Sequence, residues 1–224
     1  THGEPTDENA HPHLSCDARY AVVHNGIIEN YDELRDELEE TGHAFESQTD
    51  TEVVPHLLEE ADGGLVERLS SVVERLEGSY AVACTSAETD EVVVARQDSP
   101  LVVGRGEDAN YLGSDVTAFV EHTRRVSYLH DGDVARITSD GVEVWNDGAR
   151  VERDVETVDW DVEAAEKGGY EHYMLKEIHE QPRSLRKTIS ERTDETEGEA
   201  LIDVSQDVLA QSRRVEFVAC GTSY

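Results

Sequence analysis

Residues 20–42 read YAVVHNGIIENYDELRDELEETG, and the period of the apolar residues changes once along them. Tyr20 to His24 is a short apolar run rich in β-branched residues, which reads as a buried strand, and Asn25-Gly26 after it predicts a tight turn. Asn30 then stands three residues before Glu33, an N-cap with a partial capping box. Leu34 and Leu38 lie four apart on one helical face, and Gly42 supplies the stop. The continuation IIENY into a capped helix, rather than straight back into a strand, weighs against a simple hairpin.

Outward from this segment, helical spacing recurs twice. Val53, Val54, Leu57 and Leu58 follow Thr49, Asp50 and Thr51 as possible caps, and a third helix is expected from Leu65 to Leu76, before Gly78. From Ser79 the period becomes that of strands: SYAVACTS, EVVVARQ, PLVVG and NYLGS, then VARIT, VEVW and ARVER separated by Ser-Asp-Gly and Asn-Asp-Gly turns. Helices packed beside many consecutive strands imply a layered α+β domain with large, mostly antiparallel sheets, covering residues 1–160. Residues 161–170 read as an acidic linker with a Gly pair. From 171 to 224, EHYMLKEIHEQP looks helical until Pro182 interrupts it, and further helix is expected at Ser184 to Ile189 and Asp203 to Ser212. The acidic ERTDETEGEA between these two reads as a solvated loop, and strand RVEFVAC with loop GTS closes the chain as the start of a parallel α/β unit. The opening on Thr1 and the close on a Gly-rich loop both read as positions inside a longer protein.

Lys and Arg total 19 against 51 Asp and Glu, a formal charge of −32. Such a field excludes an unmodified nucleic-acid binder, whose affinity comes from cations displacing counterions, and it repels anionic lipid headgroups. With 37% hydrophobic residues and a mean hydropathy of −0.58, composition leaves either an acidic disordered chain or a folded protein with an acid-rich surface. Regular apolar segments, acids spread over the whole length and a basic set of three Lys and sixteen Arg favour the folded reading, in the pattern of proteins from salt-loving organisms. Cys16, Cys84 and Cys220 have spacings that fit neither a disulfide framework nor a zinc site, so a reducing cytoplasm is expected. No apolar stretch approaches a membrane span and no signal peptide opens the chain.

Four clusters could carry chemistry. In THGEPTDENAHPH, residues His2, His11 and His13 lie near Glu4 and Glu8, but Pro5 and Pro12 break any helix, so a packed loop is expected and no metal. His24-Asn25-Gly26 is either a hairpin turn or an oxyanion site, in which an Asn amide and a backbone N–H point at one developing negative charge. Thr49 to Glu52 is either an acidic helix cap or a place where Asp50 pairs with a substrate ammonium group. The closing ACGTSY, a strand followed by Gly and hydroxyls, suits phosphate binding.

In order and approximate spacing, THGEP, NAHPH, HNGIIENY, TDTEV, the run from Asp98 to Val102, GSD at 113–115, HYMLKEIHEQP and ACGTSY resemble the glutamine–fructose-6-phosphate aminotransferase (isomerizing) family. HNG with TDTE is shared more loosely with other class II glutamine amidotransferases; the segment from HYM to CGTSY is the specific part. The resemblance implies an N-terminal-nucleophile αββα sandwich, followed by the start of an α/β sugar isomerase (SIS) domain. It implies that Asn25 and Gly26 form the oxyanion hole, that Thr1, His2 and Asp50 hold glutamine, and that Thr222 and Ser223 begin the sugar-phosphate site. The family's nucleophile is an N-terminal Cys, which with an Arg-Trp would stand just before Thr1; none of the three cysteines present can replace it, because the α-amino group of the same residue is the base. Glutamine and fructose 6-phosphate are the expected substrates, with no cofactor, no nucleic-acid or membrane partner, and a homodimer at full length. Amidophosphoribosyltransferase, a catalytically dead glutamine or sugar-phosphate sensor, and an acidic interaction protein are the other readings.

Overall fold

The computed structural model describes residues 3–159, 170–191, 193–194 and 199–200. It divides the chain into two units, Thr1–Val162 and Glu163–Tyr224.

In the first unit the strands β1 (His13–Leu14), β2 (Tyr20–Ile28), β3 (Gly78–Ser86), β4 (Val92–Gln97), β8 (Asp133–Ile137), β9 (Val142–Asn146) and β10 (Ala149–Val151) lie side by side in that order as one seven-stranded sheet. A second, four-stranded sheet has the order β11 (Glu156–Thr157), β7 (Arg125–Tyr128), β5 (Val102–Arg105), β6 (Asn110–Gly113), and every pairing in both sheets is antiparallel. Helices α1 (Tyr31–Thr41), α2 (Val53–Glu60) and α3 (Leu65–Val73) cover one face of the larger sheet. Strand alternation sorts the residues: Tyr20, Val22 and Ile28 of β2 with Val82 and Cys84 of β3 meet Leu34, Leu38, Leu57, Leu58 and Leu69 of the helices. The opposite face of the sheet, through Ala81, Val94, Ala135 and Val144, packs on Val103 of the smaller sheet, with Leu101 and Leu129 filling the gap. Val102 and Val126 point outward from the smaller sheet, against Val116, Phe119 and Val120 of the 3-10 turn Val116–Ala118 and its continuation. Helices, two sheets and a thinner outer segment give the αββα succession.

Four local expectations are corrected. Asn25-Gly26 makes no turn: β2 runs unbroken through both, because Gly26 at φ 136° pairs with Tyr80 and continues the ladder. Asn30 precedes α1 but caps nothing; its amide donates to the Arg75 carbonyl and its oxygen accepts from Glu77 N–H, so it fastens the loop after α3 instead. α1 does end as expected, on Gly42 in the left-handed conformation at φ 104°. In the second unit α4 (Tyr173–Glu191) runs through Pro182 without interruption. Proline removes one backbone donor and crowds the carbonyl four residues back, a disturbance that an exposed helix relieves by hydrating that carbonyl. Within ERTDETEGEA, β12 (Thr193–Asp194) and β13 (Glu199–Ala200) pair where a loop is expected. The segments Asp203 to Ser212 and RVEFVAC lie outside the described residues.

Candidate active site

The strand β2 delivers His24 and Asn25 to opposite faces of the large sheet. His24 is buried on the helix side, where its Nδ1 lies 3.0 Å from the Thr51 hydroxyl. Asn25 points to the side of the second sheet and lines a cavity of about 290 Å³, shared with Val23, Ala81, Leu101, Gly113 and Ser114. The Asp98 to Val102 run crosses here from the larger sheet to the smaller, and GSD begins on the last residue of β6, so two further motifs reach the same cavity.

Gly26 does not line this cavity. A Cβ at that position would sit 2.1 Å from the Ser79 carbonyl oxygen, so the glycine is required first by the approach of β3. Gly78, diagonally across at φ 112°, stands 2.3 Å from the Ile27 carbonyl by the same measure. The two glycines let β2 and β3 close together around Asn25.

Asp50 opens the 3-10 turn Asp50–Glu52 and is buried. Its Oδ2 accepts a 2.8 Å hydrogen bond from the Ile28 N–H, three residues beyond Asn25 on the same strand. The turn is held from several sides. His13 Nε2 is 3.0 Å from the Thr49 hydroxyl, and His11 Nε2 is 3.3 Å from the Thr51 hydroxyl. Burial lowers the pKa of both rings; Asp50 opposes this at His11, and at His13 the neighbouring His11 lowers it further against Glu52 and Asp50. Thus His11 and His13 pack against the TDTE turn and position it; His2 lies outside the described residues. Glu52 is buried and accepts from the Glu46 and Ser47 N–H groups at 2.8 and 2.7 Å and from the Ser47 hydroxyl at 2.5 Å. Burial alone would raise its pKa; the His56 ring nearby, at 3.8 Å a charge contact, and these donors hold it to about 2.

Of the residues expected at the site, Asn25 lines the cavity, Gly26 follows it on β2 without lining the cavity, and Asp50 is tied to the same strand at Ile28. Thr1, His2, Thr222 and Ser223 lie outside the described residues. Sequence reasoning missed the supporting roles of His24 and Thr51, and it missed a cluster of Cys16, His43, His56 and Glu59 behind the TDTE turn, whose spacing in the chain matches no short motif.

Two antiparallel sheets face to face, with helices on the outer face of the larger, are the layered architecture of the N-terminal-nucleophile class. The profile described as "Glutamine amidotransferase domain" matches residues 4–121, more than half of the sequence. The chain belongs to the glutamine amidotransferase domain family. Among curated relatives, glutamine–fructose-6-phosphate aminotransferase [isomerizing] of Halobacterium salinarum is 55% identical over 100% of this chain and 38% of its own length. The enzyme of the same name from Thermus thermophilus is 52% identical over 100% of this chain and 37% of its own. Among solved structures, glutamine phosphoribosylpyrophosphate amidotransferase from B. subtilis superposes with a TM-score of 0.56 at 27% identity, over 64% of this chain and 33% of that one. The chain therefore spans little more than a third of the length of the curated relatives it matches.

Proposed function

We propose that this chain is the glutamine-hydrolysing part of an enzyme that transfers the amide nitrogen of glutamine to fructose 6-phosphate, yielding glucosamine 6-phosphate and glutamate. The observation that carries the reading is the Asn25 amide on the inter-sheet cavity, tied through β2 and the Ile28 N–H to the buried Asp50 carboxylate. In this reading a thiolate attacks the glutamine side-chain amide, and the carbonyl oxygen takes up the negative charge facing Asn25 and the Gly26 N–H. Donors fixed in position stabilise such a charge without reorganising. Asp50, with Thr1 and His2, takes the α-ammonium end of glutamine and sets how far its amide reaches into the cavity.

The sugar half rests on the second unit. Residues 1–160 are the glutaminase domain, 161–170 a linker, and 171–224 the start of a sugar isomerase domain in which Thr222 and Ser223 begin the phosphate site. Relatives bearing the aminotransferase name match across the whole chain, whereas the phosphoribosylpyrophosphate enzyme matches only part of it, which favours fructose 6-phosphate over a phosphoribosyl acceptor. A homodimer of the full-length protein belongs to the same proposal.

The nucleophile is not among the described cysteines. Cys84 is buried on the helix side of β3, where burial raises its pKa well above the ordinary thiol value and Glu91 adds to the rise. Cys16 stands among His43, His56 and Glu59 instead. The test is ammonia release from glutamine by the 224-residue chain and by the same chain carrying a processed N-terminal Cys. The unextended chain is expected to be inactive and the extended one active; turnover by the unextended chain would refute the nucleophile assignment.

A further inference from the structure

Four potential ligand atoms converge behind the TDTE turn, on side chains distant in sequence. Cys16 lies in the loop between β1 and β2, His43 follows α1, and His56 and Glu59 stand three apart on α2. The His43 and His56 Nδ1 atoms are 3.3 Å apart, and Cys16 Sγ is 3.6 Å from the first and 3.5 Å from the second. Glu59 Oε2 is 3.2 Å from His43 Nδ1 and 3.4 Å from His56 Nδ1.

These separations sit mostly beyond the usual range of hydrogen bonds to nitrogen or oxygen. Five of the six edges lie within about 0.1 Å of those of a metal tetrahedron, and the sixth, from Cys16 to Glu59, is no longer than 4.8 Å. Bonds of about 2.3 Å to sulfur, about 2.0–2.1 Å to nitrogen and about 2.0–2.2 Å to oxygen, at tetrahedral angles, give edges of about 3.3–3.4 Å for N···N, 3.5–3.6 Å for S···N and 3.3–3.5 Å for N···O.

We propose that Cys16, His43, His56 and Glu59 form a closed tetrahedral site for a zinc ion. Thiolate, two imidazoles and a carboxylate are a zinc donor set, and four protein ligands leave no position for substrate, as in structural sites. His43 and Glu59 are oriented by groups around them, as zinc ligands are. His43 Nε2 is 2.8 Å from Glu60 Oε1, which fixes the tautomer leaving Nδ1 free to bind. His56 is fully buried; its Nδ1 faces the cluster, and its Nε2, which makes no hydrogen bond among the described residues, stands 3.8 Å from Glu52 Oε1. Glu59 is oriented by the backbone N–H groups of Cys16 and Asp17, each at 3.1 Å. Cys16 is exposed, so an ion can enter from solvent. The ion joins three separate segments one helical turn from Glu52, whose carboxylate anchors the turn bearing Asp50. It is a staple for the glutamine end of the site, and its existence does not depend on the identity of the acceptor. The site also reverses the expectation that no cysteine of this chain serves a metal, because a ligand set assembled from distant segments has no spacing signature.

The experiment uses the full chain in molar potassium chloride, stripped with a chelator and titrated with zinc and, separately, cobalt. One zinc per chain is expected, with a rise in melting midpoint on binding. Cobalt should give intense tetrahedral d–d bands and a thiolate-to-cobalt charge-transfer band. Cys16→Ser should abolish the charge-transfer band, Cys220→Ser should leave it, and Glu60→Gln should weaken zinc binding about 10–100-fold through lost support of His43. If Cys16→Ser does not fold, His43→Gln, at a half-buried position, provides the second variant and should lose the tetrahedral spectrum. Weak octahedral cobalt spectra spread over many acidic sites, absence of stoichiometric zinc, or a charge-transfer band that survives Cys16→Ser would each overturn the proposal.

Discussion

Asn25 and Asp50 enter the site by different routes, and this sets what their replacement does. Asn25 is carried by β2 and faces the cavity, so in the chain with a processed N-terminal Cys, Asn25→Ala should lower kcat by roughly 10²–10³-fold, with a smaller change in KM. Asp50 also accepts from Ile28 N–H. Asp50→Asn keeps an oxygen for that bond and loses the charge, so KM for glutamine should rise while the melting midpoint stays near that of the parent. Steady-state kinetics with parallel melts check both; equal kcat losses with unchanged KM in the two variants would refute separate roles. The types of these residues were legible in the sequence, since HNG and TDTE each name a small set of chemical uses. Their alternatives were not separable there. That His24, His11 and His13 hold the TDTE turn depends on hydrogen bonds across 27 to 40 residues, which no local pattern encodes.

At the level of elements, the apolar period located the helices and most strands because burial on one face is written at fixed spacing. What it could not show is pairing. Asn25-Gly26 carries the usual hairpin signal, yet the approach of β3 uses the glycine for a different purpose. Gly26→Ala places a Cβ against the Ser79 carbonyl at an unfavourable φ, and should cost about 3 kcal/mol or more in chemical denaturation, with activity lost alongside. Asp133 gives a second case. Fully buried at the start of β8, it accepts from Arg153 Nε at 2.8 Å and Nη2 at 2.6 Å, from His130 N–H at 2.8 Å and from the Asn146 amide at 2.8 Å, so it joins β8, β9 and the segment after β10. Burial pushes its pKa up, but these donors outweigh burial and hold it below the ordinary Asp value. The carboxylate's contribution is therefore complete above the unfolded-state pKa and is lost as pH falls through the folded one. Asp133→Asn should destabilise by roughly 3–5 kcal/mol near neutrality, because Arg153 loses its partner, and should flatten the acid limb of the stability profile. Denaturant midpoints of both proteins across pH 2 to 7, about the range of carboxyl titration, test this; parallel acid limbs would show that Asp133 is not a source of acid lability.

For the whole molecule the decisive quantity is charge. The chain carries −32, and α1 shows how that charge bears on stability locally: Asp32, Glu33, Asp36, Glu37, Glu39 and Glu40 surround a single Arg35. Three of its i,i+4 pairs are like-charged, Asp32 with Asp36, Glu33 with Glu37 and Asp36 with Glu40, against one favourable Arg35–Glu39 pair at 3.0 Å. Glu39 and Glu40 also sit at the negative end of the helix dipole. In dilute buffer these terms oppose the helix, and only Leu34 and Leu38 are buried to retain it. Repeated over a surface with 51 acids, such repulsion is large against a net stability of typically about 5–15 kcal/mol. Salt shortens the Debye length from about 10 Å at 0.1 M to about 3 Å at 1 M, which is below the separation of neighbouring helix charges, and the apolar core beneath is unaffected by that screening. The melting midpoint should therefore rise steeply between about 0.1 and 2 M potassium chloride, with cooperative unfolding retained at the upper end. A disordered acidic chain would show no cooperative transition at any salt. A cooperative transition whose midpoint is flat or falls with salt would show that the acids are not a burden that salt relieves; circular dichroism melts with zinc held constant distinguish these outcomes without confusing screening with metal binding.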